Sequence, residues 1–294
     1  MLSIVIPAYN EESSVAETVE RCLKILALFN DPKTEIIIVN DGSTDNTAEQ
    51  AAKAGARVIS HPHNIGYGHS LKSGIKAAVN DIIVITDADG TYPIEDISHL
   101  VKEYQKGFDM VVGARQGKNY DESLKKKILR LFLKSLVEFT AGRKIPDINS
   151  GLRVFSKKEI IPYFSHLCDT FSFTTSVTLA YMMTGKFVQY VPIEYHKRVG
   201  KTKVKLFRDS LRTFQFVVEA IIYYNPIKIF LVLCMFLLGF SAVNFLISFI
   251  WGLFSTFLLG IGCILLSILV FGLGLLAVLL KQIMHAQANN NNQQ

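Results

Sequence analysis

The stretch Ile82-Ile83-Val84-Ile85-Thr86-Asp87-Ala88-Asp89 joins an apolar run directly to a pair of carboxylates. A short run of β-branched residues predicts a strand that is buried on both faces, as in a parallel sheet. Open α/β folds bind ligands at the carboxyl ends of their strands, so Asp87 and Asp89 are predicted to stand at a ligand-binding edge. Carboxylate oxygens suit a hard divalent cation held against a phosphate. The alternative is a simple turn.

Apolar runs of strand length alternate with stretches of helix length through the first part of the chain. The predicted strands cover 2–7, 35–40, 56–60, 82–87 and 110–114. The predicted helices cover 13–28, 44–54, 68–79 and 94–106. This alternation predicts an α/β domain of Rossmann-like type, with a mostly parallel sheet covered by helices on both faces.

Residues 229–280 contain no Asp, Glu, Lys, Arg or His. One membrane span uses roughly 20 residues, so the run predicts two transmembrane helices, near 229–250 and 257–280. Lys228 and Lys281 flank the run, and basic flanks indicate that both ends of the hairpin face the cytoplasm. The alternative, a hairpin buried in a soluble core, would need an unusually long uninterrupted apolar sequence.

Composition divides the chain, because the net charge of +6 and the hydrophobic fraction of 50% average a polar front and an apolar tail. We predict a catalytic-type domain at 1–205, an amphipathic interfacial helix at 206–226, the membrane hairpin at 227–282 and a disordered tail at 283–294. No basic start precedes the first strand, so no signal peptide is expected and both termini are expected in the cytoplasm. The four cysteines show no Cys-X-X-Cys pairing, so neither zinc nor a disulfide framework is expected.

Two common nucleotide-binding motifs are missing from the sequence. Pro7-Ala8-Tyr9-Asn10 follows the first predicted strand where a dinucleotide-binding protein would carry a glycine-rich turn, and residues 68–74 lack the spacing of a Walker loop. The sequence therefore gives poor support to nicotinamide chemistry and to ATP hydrolysis by a P-loop.

Six short segments match one known family in order along the chain. They are Pro7-Ala8-Tyr9-Asn10-Glu11 within 4–12, Asn40-Asp41-Gly42-Ser43 within 39–45, Asn64-Ile65-Gly66-Tyr67-Gly68, Asp87-Ala88-Asp89-Gly90, Gly113-Ala114-Arg115 and Ser150-Gly151-Leu152-Arg153. With them the chain resembles the family 2 glycosyltransferases, specifically the polyprenyl-phosphate sugar synthases of the dolichyl-phosphate mannose synthase type. The resemblance covers about the first 200 residues and implies a GT-A fold and a nucleotide-sugar donor.

The resemblance also implies roles for individual residues at the strand ends. The implied nucleotide-binding residues are Pro7, Tyr9, Glu11, Asp41, Asp87 and Ala88. Asp87 and Asp89 are implied to hold Mg²⁺ or Mn²⁺ between the two donor phosphates, with Asp89 as a catalytic residue. For Asp41 the alternative is an Asx turn or a helix cap.

A lipid phosphate acceptor has a second pKa of about 6 and is already largely a dianion near neutral pH, so it needs positioning more than a general base. No catalytic histidine is therefore predicted. Arg115 and Arg153 are predicted as catalytic residues that meet phosphates, the alternative for each being a structural ion pair. The further acceptor- or phosphate-binding candidates are Arg130, Ser150, Arg198, Lys201 and Lys203. Arg130 lies in the basic segment 123–144, and Arg198, Lys201 and Lys203 lie in the basic segment 196–205. For both segments, the alternative to a phosphate contact is attraction to anionic lipid headgroups.

Together these features predict an inverting glycosyltransferase that moves one sugar to undecaprenyl or dolichyl phosphate at the cytoplasmic membrane face. A UDP-sugar such as UDP-glucose is favoured as donor, and GDP-mannose stays open. One rival is a processive polysaccharide synthase, although the Gln-X-X-Arg-Trp motif is missing and the only tryptophan, Trp251, lies in the hairpin. The other rival is a noncatalytic nucleotide-binding membrane scaffold. No nucleic-acid partner is expected, and homo-oligomerisation is implied by the resemblance alone.

Overall fold

Seven strands form a single sheet in the order β3-β2-β1-β4-β6-β5-β7 in the computed structural model. The strands are β1 Leu2–Ala8, β2 Glu35–Asn40, β3 Arg57–Ser60, β4 Ile82–Ile85, β5 Met110–Gln116, β6 Arg153–Ser156 and β7 Val188–Glu194. β6 runs antiparallel to both of its neighbours, and every other pair is parallel. The predicted mostly parallel sheet is confirmed.

The structure describes residues 1–117, 131, 134–135, 137–196 and 206–291. Its α-helices include α1 Val15–Ala27, α2 Thr47–Lys53, α3 Tyr67–Ala77, α4 Ile97–Tyr104, α5 Lys157–Ile160, α6 Phe173–Met183, α7 Leu206–Tyr224, α8 Pro226–Trp251 and α9 Phe254–Asn291. Two short 3₁₀ helices cover Ile94–Asp96 and Ile161–His166. The chain divides into two compact units, Met1–Val217 and Val218–Gln294.

Alternation along β1 places helices on both faces of the sheet, because successive side chains point to opposite sides. Ile4 and Ile6 belong to the buried cluster that contains Val15 and Val19 of α1. On the other face α3 approaches so closely that a Cβ on Gly74 would lie 2.4 Å from the Val5 side chain. Gly74 therefore allows α3 to pack directly on β1 and β2.

Strand register gathers several loops at one edge of the sheet. Ala8 pairs with Asn40, and Asn40 pairs with Ser60, so the three parallel strands end side by side. β6 starts where β4 ends, with Arg153 opposite Ile85, because the two strands are antiparallel. The loops that follow β1, β2, β3 and β4, and the loop that precedes β6, therefore meet at the carboxyl edge.

The second unit contains two helices that are long and apolar enough to cross a membrane, Pro226–Trp251 and Phe254–Met284. Only 17% and 11% of the apolar 18-residue stretches in these two helices are buried inside the molecule, whereas the core hairpin of a soluble protein would be mostly buried. Gly252 ends α8 in the left-handed conformation, with φ 63°, inside the predicted turn. The Ser241 hydroxyl joins the two helices by donating to the Gly260 carbonyl at 2.7 Å.

The predicted end of the second apolar helix and the predicted disordered tail differ from the structure. α9 continues to Asn291, so residues 283–291 are helical. No glycine or proline follows Gly274, and an established helix extends at low cost where nothing interrupts its hydrogen bonds. Residues 292–294 lie outside the described part of the chain. The helix predicted for 206–226 forms as α7 and ends just before Asn225-Pro226, and its position at a membrane surface stays a prediction.

Candidate active site

The loop after β1 is tied to the loop after β2 by paired hydrogen bonds. The Asn10 N–H donates to Ser43 Oγ at 3.0 Å, and Asn10 Oδ1 accepts from the Thr44 N–H at 2.8 Å. The next residue follows the same pattern, since the Glu11 N–H donates to Thr47 Oγ1 at 2.8 Å. Asn10 has a φ of 51°, a left-handed conformation that asparagine tolerates well. The predicted nucleotide-binding segments 7–11 and 41–45 therefore form one structural unit.

Asp41 organises the loop that follows β3. Its Oδ1 accepts from the Ile65 N–H at 3.1 Å and lies 2.8 Å from His61 Nδ1, while Oδ2 accepts from the Gly66 N–H at 2.8 Å. Its side chain is only 5% exposed. These contacts join Asp41 to residues 20–25 positions further along the chain, whereas the alternative, an Asx turn, would join it to a residue two positions away. The nucleoside contact predicted for Asp41 stays a prediction.

Asp87, Ala88 and Asp89 are each held by a neighbour at the end of β4. Asp87 Oδ1 accepts from the Tyr67 hydroxyl at 2.9 Å, and Asp89 Oδ1 accepts from the Thr91 N–H at 3.1 Å and from the Thr91 hydroxyl at 2.6 Å. The Ala88 carbonyl accepts from the Thr18 hydroxyl at 3.3 Å. Burial and the nearby Asp87 carboxylate raise the pKa of Tyr67 well above its ordinary value, so its hydroxyl remains a donor. The two carboxylates therefore have fixed orientations.

Gly151 brings the loop before β6 against Asp87. A Cβ built on Gly151 would lie 2.9 Å from Asp87 Oδ1 and 3.0 Å from Oδ2. The Gly151 N–H donates to the Tyr92 hydroxyl at 2.6 Å, which fixes the loop in this position. A side chain at position 151 would therefore force the Asp87 carboxylate to move.

Arg115 is engaged in a buried ion pair with Asp147. Its Nε and one terminal nitrogen donate to the two Asp147 oxygens at 2.7 and 2.9 Å, and its guanidinium lies 5.3 Å from the centre of the Tyr195 ring. Burial alone would raise the pKa of Asp147, but the Arg115 guanidinium outweighs it and the pKa is lowered. The structure thus shows the ion pair that was the alternative to the predicted phosphate contact of Arg115.

Arg153 and Ser150 lie inside the domain. Arg153 is 0% exposed, and its guanidinium donates to the Ser150 carbonyl, the Ile148 carbonyl and the Thr178 hydroxyl at 2.8–3.0 Å. The Ser150 hydroxyl donates to the Gly113 carbonyl at 2.5 Å, and Ser150 is also 0% exposed. These placements are at odds with the predicted phosphate contacts, because neither side chain reaches the surface. Both side chains instead hold the loop that carries Gly151.

The remaining predicted cations cannot be placed. Arg130, Arg198, Lys201 and Lys203 lie outside the described residues. The basic segment that contains the last three nevertheless starts near the carboxylates, since the His196 N–H donates to the Thr91 carbonyl at 2.9 Å. Tyr9 and Pro7 lie at the end of β1, on the same edge.

The residue types at this edge fit a divalent metal ion that takes some of its ligands from the protein and the others from a substrate. Within the described ranges there is no group of three or more His, Cys, Asp or Glu side chains that could hold a metal ion by itself. Mg²⁺ characteristically takes only one or two protein carboxylates and completes its shell with water and substrate phosphates. The pair Asp87 and Asp89 fits that pattern, and Gly151 adds no side chain of its own beside the Asp87 carboxylate.

Sequence reasoning missed three residues that shape the site. Asp147 is separated from Arg115 by 32 positions and has no motif of its own. His61 is not among the predicted site residues, yet its ring joins Asp41 to Ser73, whose Oγ lies 3.1 Å from Nε2. Tyr67 stands within a matched family segment, and that position was the only sequence sign of its contact with Asp87.

A family model described as glycosyl transferase family 2 matches residues 3–164, more than half of the 294 residues. A dolichyl-phosphate hexose transferase of Haloferax volcanii is 29% identical over 207 residues, which are 70% of this chain and 87% of that protein. An undecaprenyl-phosphate 4-deoxy-4-formamido-L-arabinose transferase of Pectobacterium carotovorum is 28% identical over 208 residues, 69% of this chain. That match spans 62% of the Pectobacterium protein, less than two thirds of its length.

Among solved structures, the fold is similar to glucosyl-3-phosphoglycerate synthase from Mycobacterium tuberculosis. The complex of that enzyme with Mn²⁺, UDP and glucosyl-3-phosphoglycerate has a TM-score of 0.59 at 20% identity and covers 75% of this chain and 79% of its own. The same enzyme has also been crystallised with Mg²⁺ and UDP. At this identity the likeness concerns the fold, and it confirms the expected GT-A architecture.

Proposed function

The chain belongs to glycosyl transferase family 2, and on that premise we propose that it transfers a single sugar from a nucleotide-diphosphate sugar to a polyprenyl phosphate. Glycosyl transfer follows from the family. The finer proposal names a UDP-sugar such as UDP-glucose as the favoured donor and undecaprenyl or dolichyl phosphate as the acceptor. The observation that carries the proposal is that one chain contains both the fixed carboxylates Asp87 and Asp89 and two helices apolar enough to cross a membrane.

The donor is proposed to bind along the carboxyl edge of β1, β2 and β4. Pro7, Tyr9, Glu11 and Asp41 would contact the nucleoside, with the linked loops around Asn10 and Ser43 forming the wall of the site. Support for a nucleotide comes from the fold neighbour, which was crystallised with UDP. Asp41 would act mainly through the loop that it holds, because three of its hydrogen-bonding positions are already occupied.

Asp87 and Asp89 are the residues that would hold Mg²⁺ or Mn²⁺. The ion would neutralise the charge that develops on the departing nucleoside diphosphate. The protein contributes fixed carboxylates, since the Thr91 hydroxyl and N–H hold Asp89 and the Tyr67 hydroxyl holds Asp87. Side chains that are oriented before the substrate binds need no rearrangement during the reaction.

The acceptor phosphate is proposed to attack the anomeric carbon directly. A phosphate oxygen forms the new bond to that carbon while the bond from the carbon to the donor diphosphate breaks, and the nucleoside diphosphate leaves with the bonding electrons. In-line attack inverts the configuration, so an α-linked donor gives a β-linked lipid. A dianionic phosphate has no proton to lose, which agrees with a mechanism that needs no histidine base.

The membrane segments and the basic segments are proposed to bring the lipid to the site. α8 and α9 would span the bilayer with the catalytic domain, 1–205, and both termini in the cytoplasm, and 206–226 would lie at the membrane surface. Arg198, Lys201 and Lys203 would meet the acceptor phosphate, because their segment starts at His196 beside Thr91. Arg130 is proposed to serve the same anionic surface. Self-association is a further proposal that rests on family resemblance alone.

A mass measurement of the lipid product tests this function. Purified protein would be incubated with UDP-glucose, other UDP-sugars or GDP-mannose, each with undecaprenyl or dolichyl phosphate and Mn²⁺. We expect a product heavier than the acceptor by one sugar unit. A ladder of polymer masses would support a processive synthase instead, and no lipid product with any pair would support a noncatalytic scaffold.

Replacing Gly151 by Ala should lower the transfer rate by about 100-fold, because a misplacement of about 1 Å at a reacting group can cost that much. The new methyl carbon would lie 2.9 Å from Asp87 Oδ1, too close for an ordinary contact, so the carboxylate would have to move. Steady-state rates would measure the effect, with Gly239→Ala as control because a Cβ there meets nothing within 4 Å. Equal rates in Gly151→Ala and the wild type would contradict a role for the present Asp87 position.

A further inference from the structure

One short segment of the catalytic domain connects the two carboxylates that stand at opposite ends of the proposed donor site. Gly66 donates its N–H to Asp41 Oδ2 at 2.8 Å, and its neighbour Tyr67 donates its hydroxyl to Asp87 Oδ1 at 2.9 Å. We infer that Tyr67 is a positioning residue that sets the orientation of Asp87 for the metal and the donor diphosphate. The inference rests on the proposed function.

The hydroxyl of Tyr67 is well suited to hold Asp87. A hydrogen bond to an ionised carboxylate is roughly twice as strong as one between neutral groups. The opposite side of the same carboxylate is bounded by Gly151, where an added Cβ would lie about 3 Å from either oxygen. Asp87 therefore lies between a hydrogen-bond donor and a close backbone, and Tyr67→Phe would remove the donor while leaving the backbone in place.

The ring of Tyr67 is itself held in place. It stacks on Phe171 with ring centroids 5.8 Å apart and an interplanar angle of 14°. The loop that carries Phe171 is anchored by Lys72, whose Nζ donates to Asp169 Oδ1 and to the Leu167 carbonyl, each at 2.6 Å. Since Lys72 belongs to α3, the helix that Tyr67 begins also fastens the loop that stacks on it.

The backbone on both sides of Tyr67 cannot shift freely. A Cβ on Gly66 would lie 2.7 Å from the Asp169 carbonyl oxygen, and one on Gly68 would lie 2.3 Å from the Cys168 carbonyl oxygen. Gly66 also has a backbone φ of 125°, a value that residues with a side chain rarely adopt. Two glycines pressed against one loop place the tyrosine between them with little freedom, as a positioning role requires.

The variant Tyr67→Phe isolates the hydroxyl, because it keeps the ring and its stacking on Phe171. Mn²⁺ binding in the presence of UDP would be measured by electron paramagnetic resonance, together with the Mn²⁺ dependence of sugar transfer. Loss of a residue that orients a metal ligand typically costs roughly 10–100-fold in metal affinity or activity. We expect a Mn²⁺ half-saturation raised by that factor, with an unchanged melting temperature.

Tyr163→Phe is the matched control, since it removes a tyrosine hydroxyl that pairs with Thr184 Oγ1 at 3.0 Å on another part of the domain. It should leave both the metal affinity and the transfer rate unchanged. Unchanged Mn²⁺ affinity in an active Tyr67→Phe protein would overturn the inference. If the wild type transferred no sugar but bound Mn²⁺ and UDP in a Tyr67-dependent way, the proposed function would fail while the positioning role stood.

A second variant separates positioning from packing. Phe171→Ala removes the stacking partner but keeps the Tyr67 hydroxyl, so its metal affinity should fall less than that of Tyr67→Phe. Equal losses in both variants, each with a lowered melting temperature, would show that Tyr67 serves only to pack the loop. That result would also overturn the inference.

Discussion

Asp89→Asn should lower the rate of sugar transfer by about 100- to 1,000-fold, the effect that loss of one preorganised electrostatic group typically has. Asparagine keeps the size of the side chain, and its oxygen can still accept the N–H and hydroxyl of Thr91, as Asp89 Oδ1 does now. What is lost is the negative charge that would hold the divalent ion. The fold should survive, so the loss should appear in turnover and in metal dependence rather than in the melting temperature.

Asp81→Asn is the control for the Asp89 variant. Asp81 precedes β4 and so lies at the opposite edge of the sheet, and it likewise accepts hydrogen bonds, from Ser156 Oγ and the Lys158 N–H at 2.9 Å each. Its neutralisation should leave transfer unchanged. Normal turnover in Asp89→Asn, with a normal response to Mn²⁺, would rule out the metal site at Asp87 and Asp89.

Asp147→Ala should lower the free energy of unfolding by about 3–5 kcal/mol, because it leaves the Arg115 guanidinium buried without its counter-charge. The two side chains are 14% and 2% exposed, and the ion pair closes at 2.7 Å. Chemical denaturation of the purified protein, followed by the circular dichroism of the catalytic domain, would measure the change. The double variant Arg115→Met with Asp147→Leu should recover most of the loss, since apolar pairs of similar volume replace buried ion pairs well.

The same pair predicts a pH dependence with a definite sign. Since the pKa of Asp147 is lowered in the folded protein, the stabilisation is fully present above the unfolded pKa of about 3.9 and is lost as the pH falls through the folded value. The stability difference between wild type and Asp147→Ala should therefore shrink in acid. As a control, Glu159→Gln disrupts the exposed ion pair with Lys186 and should cost at most about 1 kcal/mol. A similar small loss in Asp147→Ala would contradict the structural role of the pair.

The parts of the fold that the sequence predicts are those with a strong period. Five strands and four helices of the first domain stand within a few residues of their predicted positions, because runs such as Ile82–Ile85 are bounded by turn residues. β6 was missed because its four residues include a buried arginine, Arg153, which contradicts an apolar run. β7 was missed because Pro192 interrupts its pattern, as proline does in an edge strand. The helix α6 was missed because ten of its eleven residues are buried, so its sequence lacks the alternation of an apolar face with a solvent-exposed one.

The sequence predicts which residue types stand at the carboxyl ends of the strands, but it does not predict which side chains or carbonyls they contact. The motif around Asp87 places carboxylates at the end of β4, and the structure fixes them there. A guanidinium in sequence, by contrast, suits either a phosphate or a carboxylate, and only the tertiary fold brings Asp147 to Arg115. The partners of Arg153 are likewise supplied by the fold, because its matched segment does not reveal that the guanidinium turns inward to the Ile148 and Ser150 carbonyls and the Thr178 hydroxyl.

Transfer of a labelled hexose from a nucleotide sugar to undecaprenyl or dolichyl phosphate, by wild-type protein reconstituted in liposomes, tests the central claim most directly. Each reaction would be divided, and one half would receive excess chelator. We predict that label moves from the aqueous phase into the lipid with Mn²⁺ present and that the chelator abolishes this movement. Label that stays in the aqueous phase, or that enters the lipid equally with chelator present, would contradict a metal-assisted transfer at Asp87 and Asp89.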